Sequence, residues 1–316
     1  MSILSLARTV ATTAEQLASD SENLGQLHGK VVQKMQEARL PQMLKKGQGH
    51  SIKDFISVCD ILAEGCMSTG WCNFVWGTHN YLVGLYPKSV QNEVWSDNQS
   101  LVSASLNPIG DCKNQANGKT ARIQGRWNFN SGCDHAKWLL LGCQQDHKEP
   151  VLALLHRSEY RLVDNWDVMG LKATGSKDAI VEPTEIPRER LLPFSSAINP
   201  FSALLILVIV GPVIGGAQSA VAKFAGHLEK RQNRSNHNEL TNSDSMILKL
   251  SEASAEVDSA RTIVHAAADL LDQNPTPDSE VTSRIMRDTA FAAKLCNAAT
   301  RRLFESSGGG ALNLKN

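Results

Sequence analysis

The sequence predicts an α+β protein in three successive parts: an N-terminal α-helical domain over residues 1–98, a middle β-barrel or sandwich domain over 99–198, and a C-terminal helical bundle over 199–316. Three observations predict it. Apolar residues recur three and four apart on both sides of a central region, as helices require. Inside that region, short alternating or continuously apolar runs are separated by turn formers. All six tryptophans lie at or before Trp166, so the rest of the chain is small-residue helix suited to close helix–helix packing.

In the first part, Leu24, Leu27, Val31 and Met35 share a helical spacing, and Ser51 with Asp54 reads as a capping box opening a helix through Phe55, Val58, Ile61 and Leu62. Ser68 or Thr69 opens the next, Trp71 to Tyr86; Pro87 stops it, and KSVQNEVW reads as a turn. In the middle part, LVSASLNP, ARIQGRWNF, KWLLLGC, VLALLHR and YRLVDNW read as strands, with turns at Asn117-Gly118 and Ser131-Gly132. Pro183, Pro187, Pro193 and Pro200 predict extended chain on the way out. The run FSALLILVIVGPVIGGA, Phe201–Ala217, is shorter than the ~20 residues of a membrane span and reads as a helix buried on all sides. Met246, Leu250, Ala253, Val257, Ala260, Val264, Ala267 and Leu271 form a bundle seam; Thr276-Pro277 opens a last helix whose inner stripe runs from Val281 to Leu303.

Composition narrows the function. Formal charge balances at 32 basic against 32 acidic residues with no basic run, which argues against nucleic acid or an anionic membrane as partner. The odd number of cysteines, seven, shows no CxxC pair, so reduced thiols in a cytoplasm are expected rather than a disulfide framework. The nine histidines make no metal-spaced pair, and no P-loop, GxGxxG, GxSxG or HExxH is present.

Three segments carry chemistry: SLNPIGD (Ser105–Asp111), GRWNFNSGCDHAKW (Gly125–Trp138) and DNWDVMGLKATGS (Asp164–Ser176). The last two mix large aromatics with Ser, Thr, Asn and Gly, the combination a flat heteroaromatic ligand needs at its apolar face and polar rim. Trp127 to Ser176 is therefore read as one wall of a cleft. With the helix–β–helix layout, these segments resemble the acyl-CoA dehydrogenase superfamily, and more closely the oxygenase components of two-component flavin-dependent monooxygenases, akin to the 4-hydroxyphenylacetate and dibenzothiophene oxygenases.

The resemblance implies a fold, an activity and site residues. The activity is hydroxylation of a small aromatic or heteroaromatic substrate by O2 through a flavin C4a-(hydro)peroxide, with reduced FMN or FAD supplied by a flavin reductase. It implies that Trp71 and His79 line the active-site pocket, that Ser105 and Asn107 hug the flavin pyrimidine edge, and that Phe129 and Ser131 flank the isoalloxazine. Ser131 and His79 are the expected catalytic residues; Thr174 and Ser176 are expected hydroxyls of the pocket or phosphate side, and Arg231 or Arg234 of a second subunit would reach the phosphate. A cytoplasmic homotetramer is expected. The sequence departs from the family at Lys172, where an arginine is usual, and at LPQMLKKGQGHS near the substrate entrance. The family's R-D-x-x-H-like segment, with its histidine beside the flavin, is not found before Asn316, so the expectation is a truncated chain or one that has lost it. An acyl-CoA dehydrogenase and a non-catalytic paralogue are the alternatives.

Overall fold

A computed structural model describes residues 2–145, 148–232 and 240–308; side chains at 198–200 and 231–243 lie outside the description. Six helices come first: α1 (Ile3–Gln16), α2 (Ala18–Leu24), α3 (Gly29–Glu37), α4 (Ile52–Gly65), α5 (Met67–Val83) and α6 (Lys88–Trp95). Ser51 caps α4 by accepting the Asp54 N–H at 3.0 Å, satisfying one of the donors a helix start leaves free. Three expectations fail here. α5 opens at Met67 after Cys66, so Ser68 and Thr69 lie inside the helix and neither caps it. KSVQNEVW is the helix α6, not a turn; Pro87 stands at its N-cap, where its fixed φ suits a helix start. Leu24 does not join the stripe of Val31 and Met35: Gly25, at φ +65°, ends α2 and leaves Leu24 exposed.

Among the described residues, seven strands follow in one sheet, β1 (Val102–Asn114), β2 (Thr120–Asn130), β3 (Trp138–Gln145), β4 (Lys148–His156), β5 (Arg161–Val163), β6 (Lys177–Pro187) and β7 (Leu191–Pro193), in the order β5-β6-β2-β1-β3-β4-β7. β1 and β3 are parallel, and every other pair is antiparallel. The proline-marked exit turns out to contain β6, paired with β2 on one side and β5 on the other. Pro183 fits because the β2–β6 register slips between Ile123 and Gly125 and β5 pairs no further than Ile180. The ladder thus asks no N–H of it.

The sheet is buried on both faces along β3. Trp138 and Leu140 point to the helical core, whereas Leu139, Leu141 and Cys143 join a second cluster with Ile123, Trp127, Leu155 and Ile186. Trp127 is wholly enclosed there, its indole N–H donating to Gly142 O at 2.7 Å. A Cβ at Gly110 would lie 1.8 Å from that ring, which explains the glycine. Trp127 therefore belongs to the sheet interior and not to a cleft wall.

The C-terminal bundle is α7 (Phe194–Val208), α8 (Val210–Gln232), α9 (Leu240–Gln273) and α10 (Ser279–Ser306). The seam expected on α9 is buried from Ala253 through Leu271, and Ile285, Ala292, Cys296, Ala299 and Leu303 face it from α10. α10 starts after Asp278, whose carboxylate caps Val281 N–H at 2.9 Å, and not at Thr276-Pro277. The apolar run is not the single helix its composition predicts: α7 begins at Phe194, ahead of Pro200, and the chain breaks at Ile209 before α8. By length and composition Phe201–Lys230 is apolar enough to cross a membrane, yet 56% of its most apolar window is buried in this fold, so it is half-covered and not buried on all sides. All seven cysteines are buried free thiols.

Candidate active site

Two turns meet where β2 ends and β6 begins. In the first, Phe129 adopts φ +60°, a left-handed conformation that costs a non-glycine residue about 1–2 kcal/mol. The outcome is a ring turned outward, 63% exposed, and held edge-on to Trp166 at 6.0 Å. Strain of this kind persists only where surrounding structure enforces it. Here Asn130, fully buried, donates to both Trp127 O (2.9 Å) and Lys177 O (3.0 Å). The second turn carries Leu171 at φ +57° and Gly175 at φ +52° around a 3-10 turn, Lys172–Thr174. Gly132 N–H donates to Thr174 O at 2.7 Å and Cys133 Sγ to Gly175 O at 3.3 Å, joining the two turns.

α5 closes the third side. Trp76 reaches Gly132 O at 3.3 Å through its indole N–H, and Trp71 reaches the Ser131 hydroxyl at 3.2 Å. From Ser131 a line of hydroxyls runs inward: Ser131 Oγ to Ser176 Oγ at 2.7 Å, Ser176 Oγ to Thr174 Oγ1 at 2.7 Å, and Thr174 Oγ1 to Leu171 O at 2.8 Å. Ser103 on β1 donates to Ser131 O at 2.7 Å. Ser105 lies on the same strand face, one pleat or ~7 Å further along, and is nearly buried; Asn107 follows on the bulge between Ser105 and Gly110 and is exposed.

The expected residues thus fall into distinct places. Trp71, Ser131, Ser176 and Thr174 form one bonded line, with Phe129 two residues from its outer end. Thr174 is 2% exposed and Ser176 5%, so both stand behind the surface. His79 is also enclosed: its Nδ1 donates to Val102 O at 3.0 Å, and burial pushes its pKa down to about 4, leaving it neutral near pH 7. Lys172 meets Asp167 at 3.3 Å through one oxygen on the surface. Arg231 and Arg234 lie outside the described side chains. The LPQMLKKGQGHS segment lines a cavity of about 250 Å³ through Met43, Leu44, Lys45 and His50, opposite Tyr81 and Leu204.

Two supporting residues carried no signal in the sequence. Ser103 is one serine among many. Glu22, on α2, accepts from Ala173 N–H (3.2 Å) and from the Ser68 hydroxyl (3.1 Å), tying the second turn to α5; these contacts span 151 and 46 residues.

The surface can hold a flat ring system. Phe129 offers an apolar face, and the Ser131 hydroxyl, bonded to Trp71 and Ser176, offers a polar group two residues on.

Comparison with known proteins gives the same direction. The family described as Acyl-CoA dehydrogenase, C-terminal domain, matches residues 207–316. The chain is 31% identical over 284 residues to the oxygenase subunit HsaA of a flavin-dependent monooxygenase from Mycobacterium tuberculosis, covering 80% of this chain and 70% of that one. It is 26% identical to the oxygenase component of an FADH(2)-dependent resorcinol hydroxylase from a Rhizobium species, covering 85% and 74%. The crystal structure of 3-HSA hydroxylase from a Rhodococcus species superposes with a TM-score of 0.92 at 26% identity, covering 100% of this chain and 89% of that one. The chain belongs to the oxygenase components of flavin-dependent monooxygenases, built on the acyl-CoA dehydrogenase fold, and its cofactor is a reduced flavin that reacts with O2.

Proposed function

We propose that this oxygenase hydroxylates a small aromatic or heteroaromatic compound, using reduced FMN or FAD received from a separate flavin reductase. The observation that carries the reading is the bonded line from Trp71 through Ser131 to Leu171 O beside the outward Phe129 ring. The resorcinol hydroxylase among its relatives supports a phenolic substrate. When bound, the reduced flavin supplies the electrons that activate O2. The chain's own residues do the rest. Phe129 covers an apolar face of the ring system, Ser131 offers its hydroxyl oxygen at the polar edge, and Ser105 and Asn107 meet the pyrimidine rim. Thr174 supports the site from behind Ser131. Trp71, backed by the buried neutral His79 on the same helix α5, walls the cleft so that water is kept from the reacting atoms. Arg231 from a second subunit holds the flavin phosphate in a cytoplasmic homotetramer, whose assembly covers the exposed part of Phe201–Lys230.

The test is to mix the protein with anaerobically reduced FMN or FAD, then with O2 and a panel of small phenols, and to assay products. Hydroxylated phenol is expected, with a transient flavin absorbance band unlike the oxidised or reduced spectra. If every phenol returns unchanged and all oxygen appears as hydrogen peroxide at the rate of free flavin, the proposal is wrong. Reduction of the bound flavin by an acyl-CoA would point instead to dehydrogenase chemistry.

A further inference from the structure

The hydroxyl line has a direction. A carbonyl oxygen only accepts and an indole N–H only donates, while a hydroxyl has one proton. Thr174 commits its proton to Leu171 O. The 2.7 Å contact between Thr174 and Ser176 must then be donated by Ser176, and the 2.7 Å contact between Ser176 and Ser131 by Ser131. Trp71 fills one lone pair of Ser131. What Ser131 retains is one lone pair and no proton.

We propose that Thr174 and Ser176 are positioning residues that fix the Ser131 hydroxyl as a hydrogen-bond acceptor toward the cleft, and so make the site select reduced over oxidised flavin. The chemistry follows from the two forms of the ring. Reduced flavin carries an N–H at N5, which donates to a waiting lone pair. Oxidised flavin has a bare nitrogen there, and two acceptors facing each other leave both unsatisfied. The inference rests on the reading that Ser131 faces the flavin edge. It assigns Thr174 to holding Ser131 rather than touching the cofactor, in keeping with its 2% exposure.

The discriminating variant is Thr174→Val, which keeps the shape and removes the terminal donor. The Ser176 proton loses its acceptor and turns to Ser131, and the Ser131 proton is released to the cleft. Oxidised FMN and FAD then bind about 3- to 10-fold more tightly relative to the reduced forms than in wild type, the range one hydrogen bond supports. Tenfold corresponds to about 30 mV in the potential of the bound two-electron couple, moved downward. Ser176→Ala shifts the ratio the same way, and Thr174→Ser keeps the wild-type ratio. Equilibrium dialysis with oxidised flavin and anaerobic titration with reduced flavin give the two affinities. A purely structural role for Thr174 would weaken both forms together; that result, or an unchanged ratio in both Thr174→Val and Ser176→Ala, overturns the proposal. The Trp71 indole N–H resonance, read on the flavin-free protein, tests the line by itself. It shifts in Thr174→Val and Ser176→Ala and not in Thr174→Ser; an identical resonance in all three contradicts it. If wild type binds neither form of flavin, the reading of the site fails, while the resonance still decides the direction of the hydroxyls.

Discussion

Gly132→Ala tests whether the turn behind Ser131 is held as tightly as its contacts imply. Gly132 has φ +71°, and a Cβ placed on it would lie 2.6, 2.8 and 3.0 Å from Nε1, Cε2 and Cζ2 of Trp76. Trp76 is fully buried, and its indole N–H is spent on Gly132 O, so it cannot swing aside. The left-handed backbone costs an alanine about 1–2 kcal/mol, and overpacking a filled core adds about 1–3 kcal/mol. Gly118→Ala is the internal control, because Gly118 has nearly the same φ, +68°, with nothing within 4 Å of its Cβ position. Both substitutions stiffen the unfolded chain by the same amount, about 0.4–1 kcal/mol, which cancels in the comparison. Urea unfolding followed by far-ultraviolet circular dichroism should place Gly132→Ala at least about 1 kcal/mol below Gly118→Ala. Equal stability of the two variants would show that Trp76 does not pin this turn.

Two further outcomes concern the helical core. The folded pKa of His79, about 4, lies below its ordinary value, so the unfolded chain binds the proton first; stability is complete above about pH 6.5 and falls as pH drops toward 4, by about 2 kcal/mol between pH 7 and 5. His79→Gln keeps a donor for Val102 O and should lose that part of the pH slope in urea titrations; an unchanged slope would assign the acid sensitivity elsewhere. Asp60 is buried against Arg261 at 2.8 Å, and burial raises its pKa even with that partner. Arg261→Met should therefore cost about 3 kcal/mol, much of it recovered in the double variant with Asp60→Asn, since an unpaired buried charge is worse than none. A double variant no better than the single one would contradict this.

What was legible in the sequence follows from what repeats locally. The seams of α9 and α10 are one-dimensional patterns, and Val257, Ala260 and Val264 are buried where spacing puts them. The strands β1 to β5 announced themselves through alternation and the Asn117-Gly118 turn. β6 did not, because Pro183 reads as a strand breaker until the register slip that accommodates it is seen. Trp127 shares a motif with Phe129 and Ser131 yet lies in the sheet interior, because motif membership does not reveal which side of a strand a residue faces. The family resemblance singled out Phe129, Ser131 and Thr174 individually. The bonds that join Ser131 to Trp71, 60 residues away, and to Ser176, 45 away, arise only when three elements pack together. Glu22 and Ser103 support the site through contacts of that same long-range kind.

Anaerobic titration of reduced FMN and FAD into wild type, Ser131→Ala and Phe129→Ala asks whether this surface is the flavin wall. With Ser131 as the acceptor at the flavin edge and Phe129 as its apolar cover, each variant should bind reduced flavin about 3- to 10-fold more weakly while its far-ultraviolet spectrum and urea midpoint stay close to wild type. Wild-type affinity in both variants would place the flavin elsewhere on the molecule.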